Sequence, residues 1–328
     1  MFSTPAVAGD LLIVGSCNGL IRALDRNSGQ VRWMYDIRKD GQQSQFHSDP
    51  VLTDDLLIIA TDGVIGHVYA FERATGKVRW KYKVDEIGVK TDVIRSGTSV
   101  YFATAGDELV CLDLDSGTAR WTFPSRFSGP GLPRTSSPAV AAGRVYSGGL
   151  DGIVSALDAQ SGRPVWSRNL GAAVTTSVVI RNTDLYTGTS QNRLYRLDTR
   201  SGEVLSEMAV DAPPLGRLLI AGDSLLAFLG EDVLASVDLA LKKTLWSQEA
   251  SKEWTSARPY VWNGSVIAGD RRQLVALRLS DGAREWSREF PGMVRGIGAS
   301  DDVLYVGTLP GPVYAYAAGK SDPGAKSR

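Results

Sequence analysis

Ile153-Val154-Ser155-Ala156-Leu157-Asp158-Ala159-Gln160-Ser161-Gly162-Arg163-Pro164-Val165-Trp166 is the stretch that decides the fold. An alternating strand closes on Leu157-Asp158, the chain turns at Ser161-Gly162, and Trp166 follows the glycine by four residues. The phrase returns as Leu24-Asp25, Ser28-Gly29, Trp33 and as Leu112-Asp113, Ser116-Gly117, Trp121. Worn copies carry Glu72, Thr75-Gly76 and Trp80; Asp198 and Ser201-Gly202 with Ser206 in place of the tryptophan; Asp238 and Trp246 with Lys242 in place of the glycine; and Arg278, Asp281-Gly282 and Trp286. Six of the eight tryptophans therefore occupy one register of a repeat. Its period of roughly 40 to 47 residues is that of a four-stranded propeller blade.

The fourth copy shows all its parts. Ser137-Pro138-Ala139-Val140 reads as a short first strand, Ala142-Gly143 as a turn, and Arg144 to Gly148 as a second strand. Asp151-Gly152 is a hairpin signal that favours positive φ, and Ile153 to Asp158 alternates as a third strand. Pro164-Val165-Trp166 opens a fourth. Such a sheet cannot bury both faces alone, but sheets packed face to face around an axis can. First strands begin near Pro5, Pro50, Val93, Pro138, Val178, Leu218, Pro259 and Ile297, which predicts an all-β, eight-bladed propeller over residues 1–318. The polar tail 319–328 is expected to be disordered. The eighth unit has no fourth-strand pattern, and Phe2-Ser3-Thr4-Pro5 already belongs to the first blade. A closed propeller usually completes its last blade with a strand from the other terminus, so the natural polypeptide is expected to extend upstream of Met1.

The repeated side chains suit a structural role. Tryptophan offers a large apolar face and one N–H donor, so it can dock on the next blade. The aspartate accepts backbone N–H bonds within the turn, and the glycine supplies a left-handed residue. Recurrence in most blades argues against reading these aspartates as a catalytic set. Lys and Arg total 36, balanced by 36 Asp and Glu, so net charge gives no reason to bind nucleic acid. No apolar run is long enough to span a bilayer, and no export signal precedes the first blade. Cys17 and Cys111 lie in blades that are not neighbours, which disfavours a disulfide, and His47 and His67 are too few for a histidine metal site. No catalytic, cofactor or metal residues are expected.

The unit Ser-Pro-Ala-Val, Val-Tyr-Ser-Gly, Ala-Leu-Asp, Ser-Gly, Trp resembles the pyrroloquinoline-quinone-type (PQQ-like) β-propeller repeat, over nearly the whole chain. Two branches follow from that resemblance. Quinoprotein dehydrogenases are longer and set an adjacent cysteine pair over the quinone, which this sequence lacks. The compact branch similar to BamB, a lipoprotein of outer-membrane β-barrel assembly, matches in length. That branch implies a non-catalytic scaffold for protein–protein interaction, a periplasmic location and a monomer with a protein partner. Its lipid anchor would not be Cys17, which follows Leu12 to Ser16 inside the first blade. Two other readings stay open: a small-molecule-binding or sensory propeller, and a PQQ-dependent dehydrogenase-like protein.

A propeller gathers inner-strand side chains at its channel mouth. Aligning the first strands on Pro5, Pro50, Pro138 and Pro259 puts Thr4, Asp49, Asp92, Ser137, Ser177, Arg217, Arg258 and Gly296 in one ring, with Arg295 one step earlier on the eighth blade. The acids fall on blades two and three and the arginines on six and seven. A mouth negative on one wall and positive on the other is expected, suited to a zwitterion or a partner's charged loop. The alternative is that each charge bonds locally to backbone or water. Phe46, His47, Lys90, Arg134, Trp254 and Thr255 lie in the loops entering the same strands. Trp254 stands outside the docking register and reads either as an exposed hot-spot aromatic or as a local plug. The predicted contact set is Trp254, Arg258, Arg217 and Arg295, with Asp49 and Asp92 opposite and His47, Lys90 and Arg134 beside them. A partner strand could also add to the edge of blade eight.

Overall fold

The structure is a computed structural model that describes the chain except for residues 1–2, 42, 47, 64, 85–87, 90, 107, 125–135, 255–257, 301 and 318–328; for 43 and 44 only the backbone is described. The repeat of blade four becomes the antiparallel strands Ala139–Ala141, Arg144–Gly148, Ile153–Asp158 and Pro164–Asn169, paired in sequence order. Asp158 closes the last turn by accepting the Ser161 N–H at 2.8 Å and its hydroxyl at 2.6 Å, and Gly162 takes φ 70°. Asp25 and Asp113 bind their turns in the same way.

Among the described residues there are seven such four-stranded sheets and one of three strands, Met293–Ser300, Val303–Leu309 and Val313–Ala317. A two-stranded ribbon, Gln43–Gln45 with Asp62–Gly63, is added beside blade two. The fold is an eight-bladed β-propeller. Burial follows strand position. Second strands such as Leu56–Ala60 and Ser224–Leu229 are buried along their length, being covered on both faces. Fourth strands such as Pro164–Asn169 are mostly exposed.

The residues fall into two compact units. One holds residues 1–88, 255–278 and 283–328, comprising blades one, two and eight and most of blade seven. The other holds 89–254 with 279–282, comprising blades three to six and one turn of blade seven. In the first unit blade eight lies directly on blade one. A Cβ on Gly296 or Gly298 would strike the carbonyl oxygens of Ser3 and Pro5, so this approach requires glycine.

Tryptophans seal the seams within each unit. Trp33 donates its indole N–H to Arg73 O at 2.8 Å, Trp121 to Ala159 O at 3.1 Å, Trp166 to Thr199 O at 2.9 Å and Trp246 to Leu279 O at 2.8 Å. Each ring lies on the turn glycine of the following blade. A Cβ on Gly76 or Gly202 would stand 2.5 Å from a ring atom of Trp33 or Trp166, and on Gly162 or Gly282 2.6 or 2.7 Å from Trp121 or Trp246. The glycine thus has two reasons to recur: its left-handed backbone and its neighbour's indole.

Candidate functional site

Entry residues tie first strands to their neighbours at three places. In one unit Thr4 N–H donates to Asp49 Oδ1 at 2.9 Å. In the other, Asp92 N–H donates to Ser137 Oγ at 3.0 Å, and Leu218 N–H to Ser177 Oγ at 3.0 Å. One residue earlier the blades repeat a buried hydroxyl that fastens the first strand to the second. Ser48 Oγ bonds Ala60 O and the Ala60 N–H, both at 2.9 Å, and Thr91 does the same with Ala103 at 2.9 and 3.2 Å. Gly188 N–H donates to Thr176 Oγ1 at 2.8 Å, and Ser3 Oγ to Gly15 O at 3.3 Å. Ser3, Ser48, Thr91 and Thr176 stand one step before the ring position; Ser136 holds the same place, but its buried Oγ has no partner among the described residues.

The ring charges do not stand on separate walls. They meet. Within the unit of blades three to six, Arg217 Nη2 pairs with Asp92 Oδ1, while Oδ2 of Asp92 accepts the Ser137 hydroxyl at 3.2 Å. Within the other unit, Arg258 Nη2 pairs with Asp49 Oδ2 at 3.1 Å, and the other oxygen holds the Thr4 N–H. The expectation of a negative wall facing a positive wall is therefore corrected. The aligned acids and arginines come together because long arginine side chains reach the carboxylates and neutralise them. The local reading was also partly right, because each carboxylate also binds a neighbouring blade.

The two pairs differ in access. Side chains of Arg217 and Asp92 are 10% and 12% exposed. Arg258 keeps 34% of its side chain exposed against 15% for Asp49, and its buried Nε has no hydrogen-bond partner among the described residues. A guanidinium fixed on one side by a carboxylate and open on the other can receive a carbonyl or carboxylate from a docking loop. Arg295 is half-buried in Met293–Ser300, its Nη2 4.0 Å from Met293 Sδ.

Of the two readings of Trp254, the structure has the plug and not the exposed aromatic. Its backbone N–H donates to Glu231 O at 2.8 Å, and its ring lies 6.0 Å from that of Phe228, leaving 7% of the residue exposed. The chain after blade six folds back over that blade's own hairpin, which converts the aromatic into a plug. Its Nε1 is buried without a partner among the described residues. His47, Lys90 and Arg134 lie outside the described residues. Cys17 and Cys111 are both free, Cys111 being buried with its thiol pKa pushed up by burial. Among the described residues no three His, Cys, Asp or Glu side chains converge as a metal site, and no helix is long and apolar enough to cross a membrane.

Comparison with known proteins agrees with this architecture. The family model of "Outer membrane protein assembly factor BamB" matches residues 2–123, 64–287 and 230–321. The BamB of Yersinia pestis is 24% identical over 340 residues, covering 95% of this chain and 83% of that protein. The crystal structure of BamB from Moraxella catarrhalis superposes with a TM-score of 0.80 at 18% identity, covering 96% of both chains. Quinohemoprotein alcohol dehydrogenase from Comamonas testosteroni shares the fold with a TM-score of 0.74 at 14% identity, covering 93% of this chain and 70% of that one. With matches running along residues 2–321, the chain belongs to the family of the outer membrane protein assembly factor BamB.

Proposed function

We propose that this protein is a non-catalytic scaffold that docks protein partners during outer-membrane protein assembly, on the periplasmic side of that membrane. The reading rests on family membership for the process and on Arg258 for the contact. Arg258 is a ring cation held by Asp49 that retains an open face. The closed ion pair at Asp92–Arg217 and the hydroxyl ties between blades supply the rigidity that a docking surface needs. In this proposal Arg258 and Arg295 face the partner, while Asp49, Asp92, Arg217 and Trp254 support them. His47, Lys90 and Arg134 are proposed as further contacts on the entry loops. The protein acts as a monomer in this reading.

The test is co-purification of the assembly complex from detergent-solubilised envelopes with the tagged full chain. Capture by the wild-type chain and its loss with Arg258→Ala, at unchanged melting temperature, is the expected result. Equal capture by both would remove Arg258 from the contact. Failure of the wild-type chain to bring down the complex would overturn the scaffold reading. The fold shared with a quinohemoprotein dehydrogenase calls for a parallel arm. Pyrroloquinoline quinone with calcium should leave the melting temperature unchanged, since a ligand of the folded state would raise it.

A further inference from the structure

Blade five, at its seam with blade six, breaks a rule that six other blades follow. In six blades the tryptophan faces a small residue across the third and fourth strands: Ala23 with Trp33, Ala70 with Trp80, Cys111 with Trp121, Ala156 with Trp166, Ser236 with Trp246 and Ala276 with Trp286. Blade five reverses the sizes, pairing Arg196 with Ser206. The following turn changes with it. Lys242 replaces the glycine, and Leu241 takes the left-handed conformation at φ 54°. No indole lies here to exclude a Cβ.

Losing the indole leaves the equivalent carbonyl with fewer donors than at the two preceding seams, and with a tyrosine in place of the indole that is the donor to Arg73 O and Leu279 O. At the preceding seam Thr199 O receives Trp166 Nε1 at 2.9 Å, Tyr146 OH at 3.2 Å and Arg144 Nη1 at 3.0 Å. At the seam before that, Ala159 O receives both Tyr101 OH at 3.0 Å and Trp121 Nε1 at 3.1 Å. The equivalent oxygen, Leu239 O, receives only Tyr186 OH at 3.0 Å among the described residues. Asp184 stands where Arg144 stands and cannot donate to it. Ser206 Oγ, at the lost tryptophan's position, is buried without a partner among the described residues.

An open cleft of about 310 Å³ adjoins this carbonyl, lined by Arg181, Asn182, Asp184, Tyr186, Arg196, Leu239 and Ala240. Both guanidinium groups are held in place. Arg196 is fixed by Asp184, with its Nε and Nη2 each 2.9 Å from Oδ2. Arg181 is fixed by Gly222 O and by Asp223 at 3.0 Å. Tyr186 stays protonated as a donor, since burial, then the Asp184 carboxylate, push its phenol up to about 12. Oriented guanidinium planes offer stacking surfaces for an aromatic ring, and the free lone pair of Leu239 O offers an acceptor at the cleft floor.

We propose that this cleft binds a planar aromatic group carrying an N–H donor, in chemical terms an indole. Such a group would take up the hydrogen bond that the repeat's own tryptophan makes elsewhere. It could arrive as a free small molecule or as a tryptophan side chain of an extended peptide. The proposal is independent of the assembly role.

The test is an NMR titration of the full chain with indole and, separately, with a short tryptophan-containing peptide and its alanine analogue. Saturable shifts at residues 181–186, 196 and 239–240 are expected from indole and from the tryptophan peptide, but not from the alanine peptide. Binding of the peptide about tenfold or more tighter than indole assigns the site to peptides; equal affinity assigns it to small molecules. The double variant Arg196→Ala/Ser206→Trp restores the pairing of the other blades and fills the site from within. It should melt higher than wild type and bind about tenfold or more weakly. Should that variant not fold, Asp184→Arg supplies the donor that Arg144 supplies at the preceding seam, and should weaken binding likewise. Absence of saturable shifts with wild type, or binding that survives in the filled variants, would overturn the proposal.

Discussion

Asp92–Arg217 and Asp49–Arg258 use the same residue types at the same position of the repeat, one pair in each unit, yet their surroundings make them different objects. The first is sealed, with both side chains near a tenth exposed. The second leaves a third of its arginine open, with Nε lacking a hydrogen-bond partner among the described residues. A sealed pair is a brace: each charge has lost its water and depends on the other. A half-open pair can exchange water for a partner's oxygen at little cost to the fold. The difference teaches that repeat position selects which charges meet, while local cover decides which of them keeps contact with solvent.

The largest test of that distinction is Asp92→Ala. It removes the carboxylate that faces a buried guanidinium and should cost about 3 kcal/mol in urea denaturation. The double variant Asp92→Ala/Arg217→Ala should cost less than Asp92→Ala alone, because no unpaired charge remains. A double variant as damaged as the sum of its singles would show that the pair is not a unit.

Gly202→Ala is a purely steric reference. Its Cβ would fall 2.5 Å from Trp166 at a backbone φ of 70°, so about 2 kcal/mol of stability should be lost, with partner capture intact at temperatures where the variant is folded. Lys242→Ala, at the equivalent turn where no indole presses, should stay within about 0.5 kcal/mol of wild type. Equal costs for the two would break the coupling between turn glycine and neighbouring tryptophan.

Arg258→Ala should reverse the pattern of Asp92→Ala. Its stability cost should be under about 1 kcal/mol, while partner affinity falls about tenfold or more. A large loss of melting temperature would make it a brace like Arg217 and erase the contrast between the pairs.

Acid sensitivity is the smallest effect and forms the background for the others. Arg32 and the Ser28 turn hold the Asp25 carboxyl well below the usual range, and Arg120 and the Ser116 turn do the same for Asp113. The folded pKa lies below the unfolded one, so this stabilisation is complete above the unfolded value, near pH 4, and is lost as pH falls below it toward the folded value. Thermal melts should be level between about pH 7 and 5 and decline below about pH 4, with a shallower decline in Asp113→Asn.

Much of the molecule was legible in the chain. The blade period, the aspartate turns, the docking tryptophans and the identity of the ring residues all follow from local chemistry that repeats. What was missed is instructive. Ser3, Ser48, Thr91 and Thr176 form a repeated series, but each bonds a strand of its own blade, and a hydroxyl carries no turn or docking signature to announce it. Ser206 and Lys242 were visible as worn repeat positions, yet only the structure shows that Arg196, the strand partner of Ser206, shares a cleft with Leu239 and Ala240 of the turn that carries Lys242. Trp254 stayed open between an exposed aromatic and a plug because its place in a loop says nothing of the Phe228 face it covers.

By itself the sequence determined the fold class, the blade boundaries and the repeat position that carries the paired acids and arginines. Those properties arise from periodic apolar burial and from turns that close within a few residues. Tertiary structure alone decided which arginine meets which aspartate, how deeply each pair is covered, and where a missing indole leaves space. These outcomes depend on side chains brought together from blades far apart in the chain, and sequence spacing does not encode the distance or solvent cover between them.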